Sequence, residues 1–297
     1  MNWVFLVIIA SAMWGIGNII DQALRKRHIK DSVTLTIYFG LSGILLLSIL
    51  LFKKMMVLDI IDILILLFTG AIWIVSALLY VHSISIEEVS RVIPLWELSP
   101  IFVLIMAFLF LGERLTQQQL LAFFLIFVGC LLISVRQIKG LFTFSKAFFP
   151  MLLSGFIFAV SNIILKFMYS KIDVWTALVW LGIGEVMCSL IILSFKKYRT
   201  NFIKSIKSIK PKIAGVVAVN ETMATLARVL YNYALLIGPA SLVYVLSGTQ
   251  SIFVFLYATL LSLFLPKIIK EEINKRILLS KMIAIILILV GLYFLYI

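Results

Sequence analysis

A chain of 297 residues that is 63% hydrophobic and 13% charged, with a mean hydropathy of +1.18, carries more apolar surface than a soluble core of that length can hide. Its net charge of +13 would suit a nucleic-acid partner, but the Lys and Arg residues fall in short connections between apolar stretches, which leaves no segment to fold a basic nucleic-acid-binding surface. Cys130 and Cys188 sit within apolar stretches as small packing residues, and His28 and His82 share no metal-ligand spacing, so no disulfide, metal or cofactor is expected.

A bilayer core of ~30 Å is crossed by a helix of about 20 apolar residues. Ten stretches suit that length: 2–24, 33–52, 60–82, 88–111, 117–136, 147–169, 174–195, 212–236, 239–264 and 278–297. The first has no basic leader and too long an apolar core for a cleavable signal peptide. The longest connection, 196–212, is too short and too basic to be a domain. An all-α integral membrane protein with ten transmembrane helices is the expectation.

Taken in chain order, the polar and aromatic residues at membrane depth are the candidates for chemistry, because ionisable groups there cost about 2.5–3.5 kcal/mol on insertion scales. Span one carries Trp14 and Asn18. Gly40 and Gly43 in span two, like Gly182 and Gly184 in span seven, read as points of close helix contact. In span three Trp73 and Tyr80, at i and i+7, share a face. Span four places Glu97 beside Trp96 and between Pro94 and Pro100, where two prolines favour a broken helix. Glu97 there could carry a proton, or partner Arg91 or a free backbone amide.

Asn162 in span six is either a solute contact or interhelical glue, as is Asn18. Lys166 and Tyr169 continue its face, and Lys166 is expected to snorkel to the headgroups. Glu185 in span seven is a weaker candidate. Span eight aligns Glu221, Thr225, Arg228 and Asn232 on one helical face. That stripe reads as a cavity lining in which Arg228 suits a carboxylate or phosphate, with Glu221 its partner in the empty site or a contact for a solute amine or a coupling proton. The alternative is an internal salt bridge that fixes packing. Trp14, Trp73, Tyr80, Trp96, Tyr231 and Tyr244 together could line a site for a ring or a cation, although aromatics at span ends more often form interfacial belts.

The second five spans echo the first. Asn18-Ile19-Ile20 answers to Asn162-Ile163-Ile164 and Gly40 to Gly184, both at an offset of 144. Leu79-Tyr80 answers to Leu230-Tyr231 and Ile101-Phe102-Val103 to Ile252-Phe253-Val254, at 151, and Gly129 to Gly291 at 162. The offset grows only across connections, where insertions belong. A repeat of five crossings enters from opposite sides, so two inverted five-helix repeats around a central cavity are expected, the architecture of secondary transporters. Nineteen Lys and Arg residues fall in odd-numbered connections and five in even-numbered ones, which places the odd connections in the cytoplasm and both termini outside.

With these residues in view, the chain resembles the drug/metabolite transporter superfamily, specifically its EamA-type members. Trp14-Gly15 is similar to the family's early Trp-Gly. Pro100 followed by Leu111-Gly112-Glu113-Arg114-Leu115-Thr116 resembles its fourth-span Pro and Leu-Gly-Glu-x-Leu-Thr, and Gly129 its late fifth-span glycine. The second half departs from the pattern: Ser251 stands in place of a proline, and Leu265-Pro266-Lys267 in place of Leu-Gly-Glu. The resemblance implies EamA-like five-helix repeats at 1–137 and 146–297, a central cavity, cytoplasmic termini (against the charge count) and transport of small metabolites or drugs, often outward.

The expected function is therefore a secondary transporter in the plasma membrane, moving a small polar or amphipathic metabolite by alternating access, with an amino-acid-like solute favoured and proton-coupled export the expected mode. A nucleotide sugar or lipid-linked sugar is an alternative solute, and a non-transporting structural membrane protein an alternative role. No P-loop is present to use ATP directly, and no nucleophile–base constellation or HExxH points to an enzyme. The solute and membrane lipid are the expected partners, without nucleic acid, and a homodimer is a candidate assembly.

Overall fold

The computed structural model describes residues 2–87, 89–96, 98–134, 146–264 and 275–296, and among them every regular element is helical. Helix α1 spans Trp3–Arg27 and α2 Ser32–Leu41, the latter continued by a 3-10 segment, Ser42–Leu51. Then come α3 (Ile60–Ile86), α4 (Val89–Trp96), α5 (Ser99–Leu111), α6 (Gln117–Ser134), α7 (Phe148–Met168) and α8 (Val174–Ser194). The chain closes with α9 (Lys196–Ser208), α10 (Pro211–Ile237), α11 (Ala240–Ser247), α12 (Gln250–Phe264) and α13 (Lys275–Tyr296).

Seven helical stretches are long and apolar enough to cross a membrane: α1, α2 with its 3-10 extension, α3, α7, α8, α10, and Ala240–Leu261. Ser99–Leu111, Gln117–Gly129 and Met282–Phe294 are shorter apolar helices. Large apolar side chains such as Phe5, Leu64, Phe108, Phe110 and Ile191 are more than half exposed, as expected where the surrounding medium is lipid.

Capping side chains mark the helix starts. Asp31 accepts from the Thr34 amide at 3.1 Å. Asp173 accepts from the amides of Trp175 and Thr176, each at 3.0 Å. The Leu111–Thr116 motif has a purely structural reading. Gly112, at φ +63°, adopts the left-handed turn that ends α5, and its N–H donates to the Ala107 carbonyl. Glu113 reaches across to α11, where it accepts from the amides of Ala240 (2.8 Å) and Ser241 (3.2 Å) and from the Ser241 hydroxyl. Thr116 and Gln119 then form a reciprocal capping box that starts α6.

Two of the stretches expected to cross are broken at matching places. The helix expected over 88–111 is interrupted after Trp96, and that over 239–264 at Gly248–Thr249. These breaks lie 151 residues apart, the same offset that relates Tyr80 to Tyr231. Helix α1 packs on α10 and α12, while α7 packs on α3 and α5. At the α6–α13 contact the glycines exchange roles. A Cβ on Gly129 would meet Ile288 and the Ala284 carbonyl, and one on Gly291 would meet Ile126 and the Ala122 carbonyl. Close approach also governs the contact of the 3-10 segment with α8, where a Cβ on Gly43 would come within 2.6 Å of the Gly182 carbonyl.

The connections gather at two ends. At one, Lys53 lies over the Trp175 ring, Met56 N–H donates to the Thr176 hydroxyl, and Trp3 lies against Gly238. At the other, Tyr38 of α2 meets Phe202 of α9. Most of the basic 196–212 connection, Lys196–Ser208, is thus a helix, where the sequence suggested a plain loop. Its lysines and arginine leave Phe202 to bury at helical spacing.

The structure also corrects the reading of Lys166. Its ammonium does not snorkel: it donates to the carbonyls of Leu235 (2.7 Å), Leu236 (3.1 Å) and Gly238 (2.8 Å). A cation there satisfies the unpaired C-terminal carbonyls of α10 and complements the helix dipole. The residues 135–145 and 265–274, which include Leu265-Pro266-Lys267, lie outside the described residues, as do Glu97 and the side chains of Cys130 and Arg91.

Candidate functional site

A cavity of about 1280 Å³, counting its mouth, lies among α1, α3, α4, α7, α10 and α11. Helical periodicity brings α1 residues Trp14, Asn18 and Asp21 to it at i, i+4 and i+7. From α3 come Trp73 and Tyr80, from α4 Trp96, from α7 Asn162, and from α10 Glu221, Arg228 and Tyr231. Tyr244 of α11 completes the set, and the broken turn at Ser247 and Gly248 borders it. Thr225, on the same stripe of α10, is buried but does not line the cavity. Glu97 lies outside the described residues.

The walls are aromatic. Ring centroids run Tyr80–Trp96 at 5.6 Å, Trp96–Phe158 at 5.4 Å and Phe158–Tyr244 at 5.8 Å. Trp14 and Tyr231 stand 5.3 Å apart. Each spacing is within the range of favourable ring contact. The Trp96 indole N–H also donates to the Tyr244 hydroxyl at 3.2 Å, joining α4 to α11.

The charged groups are arranged differently from the sequence expectation. Arg228 does not pair with Glu221. Its Nη1 lies 2.5 and 2.6 Å from the two carboxylate oxygens of Glu185, a fully buried side chain on α8. Its guanidinium carbon stands 4.1 Å from the centre of the Trp73 ring. Glu185, the weaker candidate by sequence, is therefore the partner that settles Arg228, because α8 approaches the bundle closely at Gly182 and Gly184. Glu221 instead lies beside the Ser42 hydroxyl of the 3-10 segment.

Asp21 was not singled out from the sequence. It is 7% exposed, and its Oδ1 accepts from Asn220 Nδ2 at 2.8 Å. The Tyr80 hydroxyl donates to Asn18 Oδ1 at 3.1 Å and approaches Asp21 Oδ2 at 3.5 Å. Asp21 and Glu221 lie within electrostatic reach of each other, and among the described residues neither has a Lys or Arg in contact. The spacing rule that aligned Glu221 with Arg228 would have found Asp21 on the face of Trp14 and Asn18.

Three cavity-lining side chains keep a buried polar atom without a protein partner among the described residues: Asn18 Nδ2, Asn220 Oδ1 and the Tyr231 hydroxyl. Such atoms are rare in protein interiors and call for a reason. Two nearby side chains are engaged within the bundle. Asn162 Nδ2 donates to the Phe158 carbonyl at 2.7 Å within its own helix, and the Tyr169 hydroxyl donates to Asn232 Oδ1 at 2.7 Å.

Comparison with known proteins adds the following. Residues 1–135 match the EamA-like transporter family, which lies within the drug/metabolite transporter superfamily. The second half, where the motifs depart from the pattern, falls outside that match. No curated protein matches the chain. Among solved structures, one described only as the crystal structure of a protein superposes with a TM-score of 0.68, covering 97% of this chain and 94% of its own, at 13% identity. That likeness concerns the fold.

Proposed function

We propose that this chain, whose first 135 residues belong to the EamA-like transporter family, is a proton-coupled secondary transporter that exports a small polar or amphipathic metabolite, an amino-acid-like solute, across the plasma membrane by alternating access. The reading takes the chain as ten crossings in two inverted five-helix repeats, with the three shorter apolar helices completing the seven long ones. Three observations support the repeat: the helix breaks 151 residues apart, the exchanged packing of α1 and α7, and the reciprocal glycines of α6 and α13. Inverted repeats place solute between broken helices near the midplane, and this cavity is bordered by α4 and by the broken turn at Ser247 and Gly248.

The observation that carries the function is the cavity itself, lined by aromatic rings, two carboxyls and three unused polar atoms. A purely structural membrane protein gains nothing from such a pocket, since burying polar groups without partners is unfavourable. In the proposed site Trp14, Trp73, Tyr80, Trp96, Tyr231 and Tyr244 hold the apolar body of the solute. Asn18, Asn162, Glu221 and Arg228 face its polar groups, with Thr225 behind them on α10. A carboxyl at this depth relieves its burial by taking up either a proton or a cation, and that exchange is the proposed coupling. A nucleotide sugar or lipid-linked sugar would bring phosphate, which two carboxyls repel. A second copy of the chain is a candidate neighbour in the membrane.

Uptake of a broad solute panel into proteoliposomes, with and without a pH gradient, tests the proposal. Movement of at least one solute, accelerated by the gradient, is expected. Vesicles as inert as protein-free liposomes over the whole panel would overturn it.

A further inference from the structure

We infer that the cavity selects an organic cation, a protonated amine carried on an aromatic or flat apolar body, and that it makes no use of a carboxylate on the solute. This rests on the transporter reading, and within it replaces the amino-acid-like solute contacted by Arg228 with an amine held by the carboxyls.

The argument begins with the charges. A zwitterionic solute needs a cation in the wall for its carboxylate, and among the described lining residues Arg228 is the one that could supply it. Both oxygens of Glu185 already sit on Nη1 of that guanidinium, and its face lies over Trp73. Prising Arg228 away would strand Glu185, which has no exposure at all, as an unpaired buried charge. Glu185 therefore holds Arg228 and offsets most of its charge, although the guanidinium stays within electrostatic reach of Glu221. What remains is Asp21 on α1 and Glu221 on α10, two carboxyls on helices that pack together, with no Lys or Arg in contact among the described residues.

The remaining features point the same way. Of the three unused polar atoms, Asn220 Oδ1 and the Tyr231 hydroxyl oxygen can accept from an N–H group. Asn220 already donates to Asp21, so its free oxygen lies on the carboxyl side of the cavity. An ammonium has three donors to place, and Asp21, Glu221 and Asn220 offer acceptors of matching number. The chain of rings from Tyr80 through Trp96 and Phe158 to Tyr244 supplies the π faces that attract a cation and the flat surface that accepts its body. For an anion the described lining offers one unused donor, Asn18 Nδ2, and no unpaired Lys or Arg.

The test uses three probes that share a phenyl ring: phenethylamine, phenylalanine and 3-phenylpropionate. Binding to the purified full-length protein in lipid nanodiscs is followed by quenching of its tryptophan fluorescence and by calorimetry. Phenethylamine should bind about tenfold or more tighter than phenylalanine, with 3-phenylpropionate weakest. Asp21→Asn and Glu221→Gln should each weaken the amine by about tenfold or more, with thermal unfolding run on the same preparations to confirm the fold. Phenylalanine or 3-phenylpropionate binding as tightly as the amine, or amine affinity unchanged in both variants, overturns the cation inference and leaves a solute-binding transporter standing. Absence of binding by all three also overturns the inference. Only an inert uptake panel as well removes the transporter reading.

Discussion

The buried pair of Arg228 and Glu185 should reveal itself as a tight energetic couple. Nη1 of Arg228 contacts both carboxylate oxygens at 2.5 and 2.6 Å, and the two side chains are 8% and 0% exposed. Removing one partner leaves the other charge desolvated and alone, which typically costs about 3–5 kcal/mol, or roughly two to four powers of ten in the folding equilibrium. Arg228→Ala also loses its stacking on Trp73 at 4.1 Å, worth about 2 kcal/mol when desolvated. Replacing both partners with uncharged residues of similar size removes the stranded charge, so Glu185→Gln with Arg228→Met should cost less than Arg228→Ala alone. Unfolding in mixed micelles of rising SDS fraction, run on wild type, both single variants and the double, gives the coupling directly. Losses that simply add would refute the argument that these charges exist for each other, and would return Arg228 to the solute.

Three further outcomes follow from the packing and the charge pattern. Glu113→Gln keeps the size but removes the charge that caps α11, and should lower stability by about 1–2 kcal/mol while leaving solute affinity near wild type, read by SDS unfolding and by binding. Gly43→Ala puts a methyl 2.6 Å from the Gly182 carbonyl and should destabilise strongly, whereas Gly215→Ala, in open space within α10, should be neutral or gain up to about 1 kcal/mol; equal effects would contradict the close helix contact. Ser208→Cys, exposed at the end of α9, should resist a membrane-impermeant thiol reagent in intact cells and react once they are opened, since the basic connections are assigned to the cytoplasm; labelling from outside reverses the orientation and favours cytoplasmic termini for neither reason of charge.

Much of the architecture was legible because apolar length and helical spacing are local properties. The stretches expected to cross the membrane coincide with helices, and Trp73 with Tyr80 does face one cavity. Gly43 and Gly182 were readable as contacts because small residues in an apolar helix mark close approach. What escaped depends on partners distant in sequence. Lys166 meets carbonyls some 70 residues onward, so no local pattern separates a helix-capping lysine from a snorkelling one. Glu185 ranked as the weaker candidate, yet Gly182 and Gly184 beside it mark the close approach that brings α8 inward. Asp21 was legible too: it lies seven residues after Trp14, on the helical face that Trp14 shares with Asn18. The helix in 196–212 was hidden because charge count, not the spacing of Phe202 among the lysines, governed the reading.

Alternating access makes one direct demand: the cavity wall must meet water from each side of the membrane in turn. Ala224 of α10 lines the cavity, and a single cysteine there, in a background with Cys130 and Cys188 replaced by serine, reports on it. The expected result is modification by a membrane-impermeant thiol reagent applied to either face of oriented vesicles, slowed from both by a bound solute. Reaction from neither face, in a protein that remains folded, would mean a sealed packing void and would contradict transport through this site.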